Sequence, residues 1–177
     1  FPNKRIEDWK FSDLNQIILK NFENLDFSKK DDQLSIDLNF IHEFEHNKIV
    51  FINGSVSKVD LSYENENKII LNQDFELDED LSKNVLINLN TAFLNNCIKI
   101  TVNKGYKFQK PLILYNYLAS DLDSHGLNMR LDINLEDDTS LDVINISNES
   151  SKSNFLNFRQ KINIGKNSVL KNYSLDI

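Results

Sequence analysis

The sequence feature that most constrains the fold is an internal repeat in the second half of the chain. The stretch Ile133–Leu141 realigns with Ile162–Leu170 at an offset of 29 residues. Each copy is a strand-like run, a polar corner and a second strand-like run, and Val102–Gly105 contains a similar corner. Such a unit is typical of stacked coils, because one coil cannot bury its own apolar face. The repeat therefore predicts a parallel β-helix, while an antiparallel meander would fit the alternation but call for more hairpin glycines than the 4 present.

Hydrophobic residues with a period of two predict further strands on both sides of the repeat. Leu127–Leu135 alternates strictly between apolar and polar residues. Ile49–Ile52 is a short apolar run that ends at Asn53-Gly54, a dipeptide typical of a hairpin turn. The predicted strands are Leu34–Phe40, Ile49–Ile52, Val56–Leu61, Ile98–Val102, Pro111–Tyr117 and Leu127–Leu135.

Two segments instead follow helical spacing. Asp13–Gln16 matches a capping box ahead of a first helix, and a second helix is predicted over Leu81–Leu94, closed by Asn95-Asn96. We therefore expect a mainly β fold in which a parallel β-helix follows an N-terminal α-helical segment. Residues 1–33 are predicted to be the helical segment, residues 34–96 a mixed strand and helix region leading into the coils, and residues 97–177 the coils themselves.

Composition narrows the class of partner and the compartment. The chain has 177 residues and carries 20 Lys and Arg against 27 Asp and Glu, a formal charge of −7. This balance argues against sequence-independent binding to nucleic acid. No apolar run approaches the about 18 residues of a membrane span, and no signal segment opens the chain. The single cysteine excludes a disulfide framework, so we expect a cytoplasmic protein. From the charge and the short apolar runs, we expect it to bind neither nucleic acid nor membrane.

One motif suggests enzymatic chemistry. The run His42-Glu43-Phe44-Glu45-His46 matches the His-Glu-x-x-His pattern of zinc hydrolases, in which two imidazoles on one helix face bind zinc and the glutamate activates a metal-bound water. Strand-like segments on both sides predict a polar hairpin connection instead, where side chains i and i+4 lie about 13 Å apart. The alternative left open is a zinc hydrolase with His42, Glu43, His46 and an acidic third ligand such as Glu64 or Glu66.

The remaining candidate residues have ordinary interpretations. Cys97 precedes an alternating strand and is interpreted as a small buried apolar residue. Four Asn-x-Ser sequons, which begin at Asn53, Asn145, Asn148 and Asn172, are interpreted as chance matches in an Asn-rich chain. Phosphate-loop and serine-nucleophile motifs do not occur. We therefore assign no catalytic, cofactor-binding or metal-binding residue.

Four stretches of the sequence, in order, resemble the SufD family, the non-ATPase scaffold subunit of the SUF system for iron–sulfur cluster assembly. The first combines Pro2, Lys4-Arg5, Glu7, Trp9-Lys10-Phe11-Ser12 and Leu14. The later ones are Val50–Gly54, Leu89–Phe93 and Ile100–Gly105 with its continuation in Lys110–Leu114. Each motif is modest alone, but their common order makes the resemblance more specific.

The resemblance implies an N-terminal helical region and a right-handed parallel β-helix. It also implies a complex in which SufD-like chains pair with a SufB-like β-helix subunit, while a SufC-like ATPase binds each member of the pair. The iron–sulfur cluster, the ATP bound to the ATPase and reduced flavin then belong to the complex, and we expect this chain to bind no cofactor itself. Family members are about twice as long, so the resemblance implies further coils and a C-terminal ATPase-docking segment beyond Ile177.

We therefore expect a non-enzymatic scaffold subunit for iron–sulfur cluster assembly, with a generic β-solenoid interaction module as the alternative. A chain that ends at Ile177 would leave the strand around Val169–Ile177 unpaired and apolar, so self-association is expected as well.

Overall fold

The computed structural model describes residues 44–73, 84–94, 96–118, 126–149 and 155–176. The predicted first helix and the predicted strand Leu34–Phe40 lie outside these residues. Nine strands, one α-helix and one short 3-10 turn make the described chain mainly β. They are β1 (Asn47–Ile52), β2 (Ser55–Asp60), the 3-10 turn (Glu66–Lys68), β3 (Ile69–Asn72), α1 (Val85–Ala92), β4 (Asn96–Val102), β5 (Leu112–Leu118), β6 (Gly126–Leu135), β7 (Ser140–Glu149), β8 (Phe155–Ile164) and β9 (Val169–Asp176).

The strands form two sheets. The first has the order β2-β1-β5-β7-β9 and the second has the order β3-β4-β6-β8. Two pairings are antiparallel, β1 with β2 and β3 with β4. All other pairings between these strands are parallel. From β4 to β9 the chain alternates between the two sheets, so strands that follow each other in sequence do not pair. An antiparallel meander is therefore wrong for this part of the chain.

The pairing register reproduces the repeat of the sequence. Ile133 pairs with Ile162 in the second sheet, and Leu141 pairs with Leu170 in the first, so both sheets use the same 29-residue offset. Since a slip of one residue would turn every side chain to the opposite face, the apolar pattern fixes this register strongly.

The polar corners of the repeat are tight turns with equivalent backbone conformations. Gly105, Asp138 and Asn167 occupy the same corner position in successive layers, and their φ angles are 76°, 61° and 57°. Asn and Asp tolerate this left-handed region better than other non-glycine residues, which explains how a chain with so few glycines turns so often.

Gly165 is needed for a different reason. A Cβ atom there would lie 2.6 Å from the carbonyl carbon of Glu136 and 2.7 Å from the backbone nitrogen of Asp137. The corner after β8 therefore packs against the backbone of the corner after β6, and only a residue without a side chain allows this approach.

The main core lies between the two sheets. Inward-facing residues of paired strands stack on one another, as in the pairs Ile100–Ile133 and Leu112–Val143. Burial of this apolar surface is the main stabilising contribution to the fold. The buried members are Ile49, Phe51, Ile69, Ile98, Ile100, Val102, Leu112, Leu114, Met129, Leu131, Ile133, Leu135, Leu141 and Val143.

The outer face of the first sheet is also apolar and largely buried. Its cluster contains Val50, Ile52, Ile113, Tyr115, Tyr117 and Ile146. This explains the near-continuous apolar run of β5, since both faces of a buried parallel strand are covered. The outer face changes at β9, where Tyr173 and Leu175 are 54% and 51% exposed.

The predicted strands that fall within the described residues agree with the observed elements to within a few residues, and the turn at Asn53-Gly54 joins β1 and β2 as expected. Within the described residues the predicted second helix extends too far at both ends, and its residues 81–83 lie outside the described part of the chain. Helix α1 begins after Asn84, whose side chain accepts a hydrogen bond from the Leu86 backbone N–H, and it ends at Ala92. Asn96, expected to close that helix, is the first residue of β4. No helix in the described ranges is long and apolar enough to cross a membrane.

Candidate functional site

A buried carboxylate, Glu64, connects three distant parts of the chain. It lies between β2 and β3 and is 9% exposed. Its Oε1 accepts a hydrogen bond from Asn47 Nδ2 at 2.7 Å, and its Oε2 accepts one from the Tyr106 hydroxyl at 2.7 Å. The backbone N–H groups of Gln109 and Lys110 donate to the same carboxylate at 3.1 Å. The cluster therefore ties the start of β1 to the connection between β4 and β5.

These contacts define Glu64 as a structural group. Hydrogen bonds to a carboxylate are stronger than those between neutral groups, and four donors compensate the charge that burial removes from water. Because its oxygens already accept these hydrogen bonds, the Glu64 carboxylate is not arranged to act as the third zinc ligand of the zinc-hydrolase alternative. Burial, together with the hydrogen bond to Glu64, raises the pKa of Tyr106 above its ordinary value of 10.0.

Lys110 adds an ion pair next to this cluster. Its Nζ lies 2.6 Å from Glu45 Oε2, and the hydrogen bond to this carboxylate raises the pKa of Lys110. Both side chains are exposed to solvent, so this pair contributes little stability.

His46 is the described histidine of the zinc-like motif, and His42 and Glu43 lie outside the described residues. It stands directly before β1 and is 7% exposed. Its Nδ1 lies 2.6 Å from the carbonyl oxygen of Phe44, which only accepts hydrogen bonds, so Nδ1 carries the proton. Its Nε2 accepts from the Tyr115 hydroxyl at 3.2 Å when the ring is neutral. Both nitrogens therefore have protein partners.

The structure confirms the interpretation of Cys97, and it describes the surroundings of three sequon asparagines. Cys97 is buried and reduced. Asn53 and Asn145 are buried, so neither presents its side chain to a glycosylating enzyme. Asn172 hydrogen-bonds other amides, and the fourth sequon includes Ser150, which lies outside the described residues.

Helix α1 is fastened to the outer face of the second sheet by side-chain amides. Asn90 is fully buried, and its Nδ2 donates to the carbonyl oxygens of Met129 on β6 and Asn157 on β8 at 2.9 and 2.7 Å. In return, Asn157 Nδ2 donates to the Leu86 carbonyl oxygen at 2.9 Å. A single helical residue therefore bridges two neighbouring strands of the sheet.

A second group of amides lies inside the stack, between β7, β8 and β9. Asn145 donates to Asn172 at 2.8 Å, Asn172 donates to Gln160 at 2.9 Å, and Gln160 donates to Asn145 at 3.2 Å. Gln160 on β8 pairs with Leu131 on β6, and Asn172 on β9 pairs with Val143 on β7. The interior side chains therefore change from apolar to polar between these paired strands. A cavity of about 400 Å³ lies beside the triangle, lined by Asn145, Ser147, Phe158, Gln160 and Ser174.

The described part of the chain brings together no group of three or more His, Cys, Asp or Glu side chains that could hold a metal ion. The described strands do present exposed apolar surface at one edge of each sheet. In the described part, β9 and β8 form one edge of the two sheets, and β2 and β3 form the other. Exposed apolar side chains accompany β8 and β9, namely Ile162, Ile164, Val169, Tyr173 and Leu175.

Comparison of the sequence with models of known protein families finds no match, and neither does comparison with curated proteins.

The sequence gives no signal for the Glu64 cluster beyond the presence of its residues. Its other members lie 17 to 46 positions from Glu64 in the sequence, and they meet only because β1 and β5 are neighbours. The amide contacts of Asn90 are equally hidden, since nothing in an Asn-rich chain distinguishes a buried asparagine from an exposed one.

Proposed function

We propose that this chain is part of a SufD-like, non-catalytic scaffold subunit that supports iron–sulfur cluster assembly. The observation that carries the proposal is the pair of parallel ladders with a common 29-residue register. A ladder of this kind produces a rigid, extended surface from stacked units, which suits a protein that holds other proteins in place.

The finer architecture belongs to the same proposal. Strands β4 to β9 alternate between the sheets, and β6–β7 and β8–β9 each contribute one strand to each sheet. We take these units as successive coils of a right-handed parallel β-helix, because crossovers between parallel strands are almost always right-handed.

The positions of the family-like segments support the assignment. Val50–Gly54 forms the end of β1 and its turn, Lys110–Leu114 leads into β5, and these two strands are parallel neighbours. Ile100–Gly105 ends β4 and forms the first corner, while Leu89–Phe93 contains Asn90, which fastens α1 to the second sheet. Each of these later segments thus has a definite structural task in the same pair of sheets, while the first family-like stretch, Pro2 to Leu14, lies outside the described residues.

The complex implied by this assignment contains a SufB-like β-helix subunit and a SufC-like ATPase in the cytoplasm. The cluster is its product, ATP binds the ATPase, and reduced flavin acts in the complex. The chain itself provides docking surface, with no residue assigned to catalysis or to a cofactor.

Co-purification tests this proposal directly. The protein that contains this chain is expressed with tagged SufB-like and SufC-like subunits of the same organism, and we expect all three to elute as one complex. An unrelated β-solenoid protein of similar charge serves as the control. Repeated failure to recover either subunit would contradict the proposal and favour a generic interaction module.

A further inference from the structure

A polar cavity inside the stack is a candidate ligand site that the scaffold proposal does not use. Its volume is about 400 Å³, near the lower end of the range of about 300–1,000 Å³ that small-molecule sites span. It reaches from the surface into the stack, since Ser174 is exposed whereas Asn145 is only 4% exposed. A cavity of this size takes a molecule with a single ring. The lining residues on β7, β8 and β9 are Asn145, Ser147, Phe158, Gln160 and Ser174.

The lining offers hydrogen-bonding groups without charge. None of the described side chains that line the cavity is ionisable. A carboxylate, phosphate or ammonium ligand would therefore leave water with no counter-charge to receive it, which is unfavourable. Amides and hydroxyls both donate and accept hydrogen bonds, as the hydroxyl groups of a ligand do, and Phe158 adds an apolar ring. This combination suits an uncharged ligand that carries several hydroxyl groups on a saturated ring.

The amide triangle of Asn145, Gln160 and Asn172 orients part of this lining before any ligand binds. Its three hydrogen bonds, at 2.8, 2.9 and 3.2 Å, fix the positions of the amide groups. An amide group carries two N–H donors, and Gln160 uses one of them in the triangle. Gln160 therefore keeps a second N–H for a ligand, and binding does not have to order this side chain.

Other polar groups around the cavity lack partners within the described part of the chain. The hydroxyls of Ser147 and Ser174 make no hydrogen bond there. Asn116 on β5 pairs with Ser147 in register, so the two residues share one inward-facing row. Asn116 is 6% exposed, and its Oδ1 accepts no hydrogen bond from the described residues. A buried acceptor without a donor costs stability, and a hydroxyl group bound beside Ser147 would offset this cost.

We propose that this cavity binds a small, uncharged polyhydroxy ring molecule of the size of a monosaccharide. The amides and the serine hydroxyls bind the hydroxyl groups of the ligand, and Phe158 packs against the C–H groups of its ring. This proposal does not depend on the cluster-assembly function, because it rests on the lining of the cavity alone.

The test measures binding of methyl β-D-glucoside to the protein that contains this chain by saturation-transfer NMR. We expect saturable binding with a Kd in the millimolar range, because the ligand is small and the cavity is partly open. The key variant is Asn145→Leu with Gln160→Leu. The register partners of these two residues are Leu114 and Leu131, so the variant extends the apolar interior by one layer and should fold. We expect its Kd to rise at least about tenfold, because the hydroxyl groups of the ligand lose their partners.

The matched control is Asn134→Leu with Asn163→Leu. These two asparagines pair with each other and lie on the outer face of the second sheet, away from the cavity. The same change of amide to leucine there should leave the Kd within about twofold.

Three results would overturn the proposal. One is the absence of saturable binding, which would mean that the cavity holds only water. Another is equal weakening by the two double variants. The third is binding of cyclohexanol, which keeps the ring but has one hydroxyl, as tightly as the glucoside. If the Asn145→Leu with Gln160→Leu variant fails to fold by circular dichroism, Ser147→Ala with Ser174→Ala replaces it, with an expected rise in Kd of about threefold and the same controls.

Discussion

Single residues in this protein carry structural tasks that composition conceals. An Asn-rich chain appears at first to have a polar surface and little else. In the fold, Asn47 binds the buried carboxylate, Asn90 fastens a helix, and Asn167 takes the corner position that Gly105 fills elsewhere. The amide group suits all three tasks, because it both donates and accepts and also tolerates left-handed backbone.

Replacing Gly165 by Ala tests the close packing of successive corners. The added Cβ would meet backbone atoms at 2.6 to 2.9 Å, and backbone cannot move as an exposed side chain can. We expect the free energy of unfolding to fall by about 1–3 kcal/mol in urea titrations. Gly105→Asn is the control, because Asp and Asn occupy the equivalent corner positions, and it should change stability by less than about 1 kcal/mol. Equal losses in both variants would show that the corners do not differ in this way.

The Glu64 cluster predicts that the nearly isosteric substitution Glu64→Gln lowers the free energy of unfolding. Glu64→Gln replaces one acceptor oxygen by an NH2 group that faces the donors of Asn47 or Tyr106, so at least one buried donor loses its partner. We expect a loss of about 2–3 kcal/mol in chemical denaturation. Glu66→Gln, two residues away and exposed, should stay within about 0.5 kcal/mol. A stable Glu64→Gln variant would mean that the cluster does not hold the loop.

Tyr106 adds a dependence on alkaline pH. Since burial raises its pKa in the folded chain, the folded state holds the hydroxyl proton more tightly than the unfolded state. This contribution to stability is complete below the unfolded-state pKa of about 10 and is lost as the pH rises through the folded-state value. Tyr106→Phe should therefore make the decline in unfolding free energy above pH 10 shallower, whereas Tyr63→Phe, at a more exposed position, should leave it unchanged. Identical slopes in all three proteins would contradict the assignment.

At the level of elements, the sequence predicted the strands and their register, because both depend on the local periodicity of apolar residues. Ile133–Leu141 and Ile162–Leu170 predicted the register of both sheets, because an alternating apolar pattern fixes which face is buried. The helix boundary was wrong because Asn84 caps the helix after its expected start. The outer apolar cluster of the first sheet and the amide contacts of α1 were not predictable, since they depend on which elements lie together in space.

The attachment of α1 is testable at this scale. Asn90→Ala removes two hydrogen bonds that bridge β6 and β8, and it leaves the carbonyl oxygens of Met129 and Asn157 without that donor. We expect a loss of about 1–3 kcal/mol and faster amide hydrogen exchange in Val85–Ala92 than in β6. Asn163→Ala, an exposed change on the same sheet face, is the control. Unchanged protection of the helix would show that other contacts hold it.

The whole molecule combines an acidic net charge with unequal sheet faces. The outer face of the first sheet is apolar and continues to the exposed Tyr173 and Leu175, while the outer face of the second sheet carries polar and charged side chains. The two outer faces therefore differ in chemical character.

The apolar end of the first sheet predicts self-association of the 177-residue chain. Among the described strands, β9 is outermost in its sheet, and it exposes Val169, Tyr173 and Leu175 on its outer face. Edge strands with exposed apolar residues pair readily with other chains, and charged residues on an edge prevent this. We expect the apparent mass in light scattering to rise with protein concentration, and Tyr173→Lys with Leu175→Lys to lower it toward the monomer. Ile70→Lys, an exposed apolar position on the other sheet, is the control, and a monomer at all concentrations would contradict the prediction.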